Sequence, residues 1–162
     1  MWDCALLYLA NRDYSLAEMD EKLSFRGATE EQRYEVLIKL KESGLINERR
    51  YAGRIYEYWL AKGSYGRAHL RMELQKHKLP AELREEIVDS FTDTLEEEHA
   101  LKAAKVFVKR WRGKRNAAAD KRKIYGAAAR FLATRGFSAG YMDLLLREMG
   151  ENVDICCGNL DI

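Results

Sequence analysis

A chain that repeats itself has few folds open to it, and residues 8–40 of this one recur at an offset of 51. Tyr8-Leu9-Ala10 matches Trp59-Leu60-Ala61, Tyr14 matches Tyr65, Leu23 matches Leu74, Val36-Leu37 matches Ile87-Val88, and Leu40 matches Phe91. A third, shifted copy carries the Leu on to Leu132. The series then reads Leu23-x-x-Arg26-Gly27-Ala28, Leu74-x-x-His77-Lys78-Leu79 and Leu132-x-x-Arg135-Gly136-Phe137. Thirteen residues after each Leu stands an apolar pair: Val36-Leu37, Ile87-Val88, Leu145-Leu146. A period of this length, built of helical pieces, predicts an array whose units bury apolar faces on one another. Such arrays offer a surface rather than a reaction centre.

The pieces are helical because the composition leaves little else. One Pro, 11 Gly and an abundance of Ala, Leu, Glu, Lys and Arg favour helix almost throughout. No segment alternates with the period of two that marks a strand. With 162 residues, 47% hydrophobic and 33% charged, the chain can bury a modest core but is near the lower limit for two independent domains.

Capping chemistry places the helices. Ser15-Leu16-Ala17-Glu18 and Thr29-Glu30-Glu31-Gln32 are capping boxes, in which a hydroxyl accepts from the third helical N–H and the acid or amide reaches back. Gly27, Gly44, Gly63 and Gly136 each follow an apolar-periodic stretch and suit the left-handed residue that closes a last turn. Asn47 suits an N-cap, and Pro80 a first helical position. Leu101, Ala104, Val108 and Trp111 mark one helix face. The expected helices are 3–11, 16–26, 30–43, 47–61, 64–77, 81–92, 95–112, 117–134 and 139–149. Lys78 stands where the other copies have Gly, at a cost of roughly 1 kcal/mol if it turns left-handed, so that turn is expected to differ. The reading is an all-α, elongated array of tandem three-helix repeats. A leading helix plus the first repeat occupies 1–62, the second repeat 63–113, and a truncated third repeat 114–150. A tail over 151–162 is expected to fray.

The net charge of +2 hides a strongly dipolar chain. Glu82 to Glu98 holds eight acids against Arg84, whereas Lys102 to Lys123 holds ten bases against Asp120. The basic block, with Lys109, Arg110, Arg112, Lys114 and Arg115 at its centre, can meet phosphates or an acidic protein face. It can equally be a solvated helix face paired with the acidic block. A second candidate surface is Lys62, Arg67, Arg71 and Lys76, extended by Arg54. Arg67, Arg71 and roughly Lys78 share a helical side, against the simpler reading of long stems covering apolar surface. Tyr51, Tyr56, Tyr58 and Trp59 could stack unpaired bases, but Tyr51, Tyr58 and Trp59 fit core packing better, because the first copy holds Tyr8 in the same register. Trp111 also reads as core.

Catalysis is poorly served. His69 and His77 lie two turns apart with no third ligand, His99 stands among acids, and there is no Gly-rich phosphate loop or nucleophile elbow. No enzyme activity, cofactor or metal is expected. Cys4, Cys156 and Cys157 fit neither a disulfide framework nor zinc spacing and read as reduced thiols. No apolar run approaches the roughly 20 residues of a membrane span. A cytoplasmic protein without membrane contact is expected.

The ordered set of motifs resembles a known family. Arg12-Asp13-Tyr14-Ser15-x-x-Glu18-Met19-x-x-Lys22-Leu23-x-x-Arg26-Gly27, followed by Val36-Leu37-x-x-Leu40-x-x-x-Gly44-Leu45-Ile46-Asn47-Glu48-x-Arg50-Tyr51-Ala52, resembles the opening unit of the RecX regulatory family. Lys62-Gly63-x-x-Gly66-Arg67-x-x-x-Arg71-x-Glu73-Leu74 and Arg130-Phe131-Leu132-x-x-Arg135-Gly136-Phe137-Ser138 extend the likeness through residues 5–149. The family usually has two acids where Asn47-Glu48 stand and Gly where Lys78 stands. The resemblance implies three-helix repeats and a non-enzymatic, monomeric partner of the RecA nucleoprotein filament that restrains it during DNA repair, recombination and the SOS response. Weak direct DNA contact is compatible with it. The alternative is a helical DNA-binding module acting on nucleic acid directly, although no helix carries a coherent base-reading set.

Overall fold

The computed structural model describes residues 1–112 and 121–150, with side chains over 1–111 and 122–150. Among the described residues every regular element is helical. In chain order they are α1 (Trp2–Leu9), α2 (Leu16–Phe25), α3 (Glu30–Glu42), α4 (Glu48–Lys62), α5 (Arg67–Lys76), α6 (Ala81–Ser90), α7 (Asp93–Arg112), α8 (Lys121–Thr134), a 3₁₀ turn (Ala139–Tyr141) and α9 (Met142–Glu148).

The caps fall where the sequence puts them. Ser15 and Thr29 form complete capping boxes with Glu18 and Gln32, and the Asn47 side chain accepts from the Arg50 N–H at 2.9 Å. Gly27, Gly44, Gly63 and Gly136 are all left-handed. Some boundaries differ for local reasons. Pro80 is the N-cap of α6, extended at ψ 142°, rather than its first helical residue. α7 starts two residues earlier than expected, because the Thr92 hydroxyl accepts from the Leu95 N–H at 3.4 Å. The expected start of α8 near 117 and the tail over 151–162, with Cys156 and Cys157, lie outside the described residues.

The helices form two compact units, Met1–Lys62 with Leu70–Phe91, and Gly63–His69 with the described residues from Thr92 onward. In the first unit, α1, α2 and α3 enclose Ala5, Met19, Leu23, Val36, Leu40 and Ile46. α4 packs on α6 there, with the Trp59 and Phe91 rings edge to face at 4.9 Å. In the second unit α7 packs chiefly on α9. The small residues Ala100, Ala103 and Ala104 allow that close approach, and Phe107, Ala128, Leu132, Phe137 and Leu145 complete the core. The buried face of α7 therefore centres on Ala100, Ala103, Ala104 and Phe107, while Leu101 and Trp111 lie at its margin.

The repeat is visible in burial. Leu23, Leu74 and Leu132 are all buried, as are Leu40 and Phe91, and each apolar pair contributes at least one buried member. The turns repeat as well. Gly27 and Gly136 have φ of 79° and 76°, and the next N–H reaches back in each case, Ala28 to the Leu23 carbonyl at 3.2 Å and Phe137 to the Leu132 carbonyl at 3.0 Å. Lys78 adopts φ 51° and so shares their left-handed backbone, contrary to expectation, with its own N–H bonded to the Gln75 carbonyl at 2.9 Å. Its strain, about 1–2 kcal/mol for a residue with a Cβ, is offset by the buried Leu79 that follows and by an ion pair from Nζ to Glu21.

The same φ does not mean the same surroundings. A Cβ on Gly27 would meet nothing within 4 Å, whereas one on Gly136 would lie 2.2 Å from the His69 backbone nitrogen. Gly27→Ala should therefore cost about 1–2 kcal/mol through backbone strain alone. Gly136→Ala should cost about 1–3 kcal/mol more through overpacking. Urea unfolding followed by circular dichroism checks this, and equal losses would contradict the packing described.

Candidate functional site

A groove of about 720 Å³ opens in the first unit between the end of α1, α4 and the end of α5. Its long wall is one face of α4, where Tyr51, Arg54, Ile55, Tyr58, Trp59 and Lys62 recur at three- and four-residue spacing. Leu9 to Asp13 form the opposite lip, and Glu73 and His77 close the floor.

One end of the groove is locked by hydrogen bonds. Arg12 donates to the Tyr51 hydroxyl at 2.9 Å and to Glu18 at 3.1 Å, while its guanidinium lies 3.7 Å from the Tyr14 ring centroid. His77 Nδ1 is 2.8 Å from the Tyr51 hydroxyl and 3.6 Å from Glu18. Burial, and then the Glu18 carboxylate, push the Tyr51 phenol up to about 12. The other end is open. Tyr58 is 70% exposed, which overturns its expected place in the core, and Lys62 Nζ sits 4.8 Å from its ring centroid. Arg54, itself largely exposed, pairs with Asp13.

The remaining bases of this candidate set are held by acids. Arg67 meets Asp93 at 2.8 Å and Glu96 at 3.5 Å, Arg71 meets Glu85 at 2.8 Å, and Lys76 meets Glu73 at 2.7 Å. The hydrogen bond from Arg71 holds the Glu85 carboxyl below its ordinary range. Arg49 likewise pairs with Glu86. Arg67, Arg71 and Lys78 thus each face a different carboxylate, and four of the eight acids of the block pair with arginines of α4 and α5.

The second basic surface is different. On α7, Lys102, Lys105, Lys109 and Arg110 are exposed, and among the described residues none of the four has an acid within ion-pair distance. Lys114, Arg115 and the Arg112 side chain lie outside the described residues. Beside this row, Phe107, Arg110, Trp111, Ala127, Arg130, Phe131 and Thr134 line a pocket of about 290 Å³ between α7 and α8. Trp111 stacks on Phe107 at 5.8 Å with 17° between planes, so one of its faces packs on the core and it also borders the pocket.

Several residues that hold this arrangement carry no local sequence signal. Glu48 accepts from the Leu16 N–H at 3.0 Å, and the buried Glu96 accepts from the Arg67 N–H at 2.8 Å. These are equivalent caps, since Leu16 and Arg67 are themselves 51 apart. His99 is buried with Nδ1 3.0 Å from the Tyr65 carbonyl, and burial lowers its pKa. Among the described residues no group of three His, Cys, Asp or Glu is placed to hold a metal ion, and no helix is long and apolar enough to cross a membrane.

No family model matches the chain. Individual proteins do. The regulatory protein RecX of Pseudomonas putida is 32% identical over 93% of this chain and 90% of its own length, and that of Ectopseudomonas mendocina 31% over 91% and 93%. That of Trichlorobacter lovleyi is 29% identical over 92% and 94%. The crystal structure of RecX from Lactobacillus salivarius shares the fold, with a TM-score of 0.75 at 23% identity over 92% of this chain and 94% of that one.

The groove's locked end gives a pH test. A phenol raised in the folded state contributes stability that is complete below its ordinary value of 10 and is lost as pH rises toward 12. Tyr51→Phe should be less stable than wild type by about 1 kcal/mol at neutral pH through its lost hydrogen bonds. The gap should close between pH 10 and 12 in urea titrations. A gap that stays constant would show that the phenol is not perturbed.

Proposed function

The chain belongs to the RecX regulatory protein family, and we propose that it binds the nucleoprotein filament of the RecA recombinase and restrains its ATPase, strand exchange or growth. The observation that carries this reading is the match to RecX regulatory proteins over nine-tenths of the chain and of theirs. The matched relatives are named as regulatory proteins, which supports action by binding. The protein acts by binding, needs no cofactor, and works as a cytoplasmic monomer.

The groove of the first unit is the surface proposed to meet RecA. Interface energy concentrates in Tyr, Trp and Arg that a partner covers near the centre of the contact. Tyr58, with Lys62 over its ring and Arg54 beside it, supplies that chemistry in exposed form. Arg67 and Arg71 are engaged by acids of the 82–98 block and Lys76 by Glu73 of its own helix, so these three are not offered to the partner. Repeated weak contacts along a polymeric partner add through effective concentration, so no single contact need be strong.

Titrating this protein into the single-stranded-DNA-dependent ATPase of the cognate RecA tests the reading. Inhibition well below one protein per RecA is expected. The Tyr58→Ala/Lys62→Glu variant should need at least tenfold more protein, whereas Arg71→Gln should inhibit like wild type. No effect of the wild-type protein on the ATPase would overturn the function, and full inhibition by the double variant would overturn the groove as the contact.

A further inference from the structure

We propose that the pocket between α7 and α8 binds an unpaired nucleotide of single-stranded nucleic acid, its base against the aromatic lining and its flanking phosphates on Arg110 and Arg130. This site belongs to the second unit alone and does not rest on the RecA reading.

The lining has the composition that stacking requires. Phe107, Trp111 and Phe131 present ring surface to a cavity of about 290 Å³, with Phe107 and Phe131 5.0 Å apart. That volume stands at the lower end of small-ligand cavities, about 300–1,000 Å³, and suits one planar ring system. Stacking on aromatic rings is tolerant of sequence because every base has a π-face. The absence of a base-reading set of side chains is therefore no obstacle.

The rim has the charge that phosphates require. Arg110 and Arg130 flank the rings from opposite helices, both exposed, and neither has an acid within ion-pair distance among the described residues. This contrasts with Arg54, Arg67 and Arg71, each of which is paired. The space above Gly126, one turn before Arg130, is open: a Cβ there would meet only the Arg130 guanidinium, at 3.6 Å. Lys102, Lys105 and Lys109 lie round α7 on the side away from Phe107, by helical spacing, so the charge at this rim is that of Arg110 and Arg130. An acidic peptide could use the cations, but it has no need of three rings beneath them.

The test is anisotropy of a labelled oligothymidylate with the full chain and no recombinase present, read together with tryptophan fluorescence. Binding with quenching of Trp111 is expected, and the quenching should vanish in Trp111→Phe. Arg110→Gln/Arg130→Gln, both exposed positions, should bind about tenfold or more weakly. Its log–log salt slope should be shallower by about 1.4, at about 0.7 per lost phosphate contact on a single strand. Arg54→Gln/Arg71→Gln should bind as wild type. An abasic strand of equal length should bind more weakly and leave Trp111 unquenched. Equal binding of the abasic strand, equal binding by the Arg110/Arg130 variant, or displacement of the strand by an oligoglutamate peptide that itself quenches Trp111 would each overturn the proposal. Any of these would leave the ATPase result standing.

Discussion

The contact on which the second unit depends is backbone on backbone. The turn at Gly136 rests on the segment that opens α5, with the Gly66 N–H bonded to the Arg135 carbonyl at 2.8 Å and the Ala68 N–H to the Gly136 carbonyl at 3.2 Å. Neither glycine can carry a side chain there, since a Cβ on Gly66 would lie 2.5 Å from the Gly136 oxygen. The arrangement solves two problems together. The carbonyls of Arg135 and Gly136, just past the end of α8, and the N–H groups of Gly66 and Ala68, at the start of α5, need partners outside their own helices, and each pair satisfies the other. Arg135 completes the seat by donating to the Ser64 carbonyl and hydroxyl, both at 3.0 Å.

Within the first unit the same relation is made by side chains. The turn at His77 and Lys78 meets α2 through Glu18 and Glu21, and Ser15, which stands where the next copy has Gly66, caps its own helix with its hydroxyl. Glu48 and Glu96 then cap Leu16 and Arg67 in equivalent fashion. A repeat thus preserves geometry through changing chemistry, which is why a lysine can occupy a left-handed position otherwise given to glycine.

Much of this was legible in the sequence. The series Leu23, Leu74 and Leu132 marks buried positions because burial excludes substitution by polar groups, and the capping boxes work within four residues. What escaped depends on distant partners. Nothing near Glu96 shows that it caps a helix 29 positions away, and nothing near Gly136 distinguishes it from Gly27, which faces open space. Charge was legible as blocks but not as pairs. Four of the eight acids of 82–98, Glu85, Glu86, Asp93 and Glu96, go to Arg49, Arg67 and Arg71, while Lys102, Lys105, Lys109 and Arg110 of α7 have no acid within ion-pair distance among the described residues. Tyr58 escaped for a different reason: a repeat register says that a position is equivalent, not that it is covered.

The proposed RecA contact lies on the face of α4 that carries Arg54, Tyr58 and Lys62, and amide hydrogen exchange tests that most directly. The exchange of this protein alone would be compared with its exchange on RecA filaments assembled on single-stranded DNA. Slowed exchange over Leu9–Asp13 and Arg54–Lys62 on the filament is expected. Co-sedimentation with the filament without any change in those segments would contradict the account.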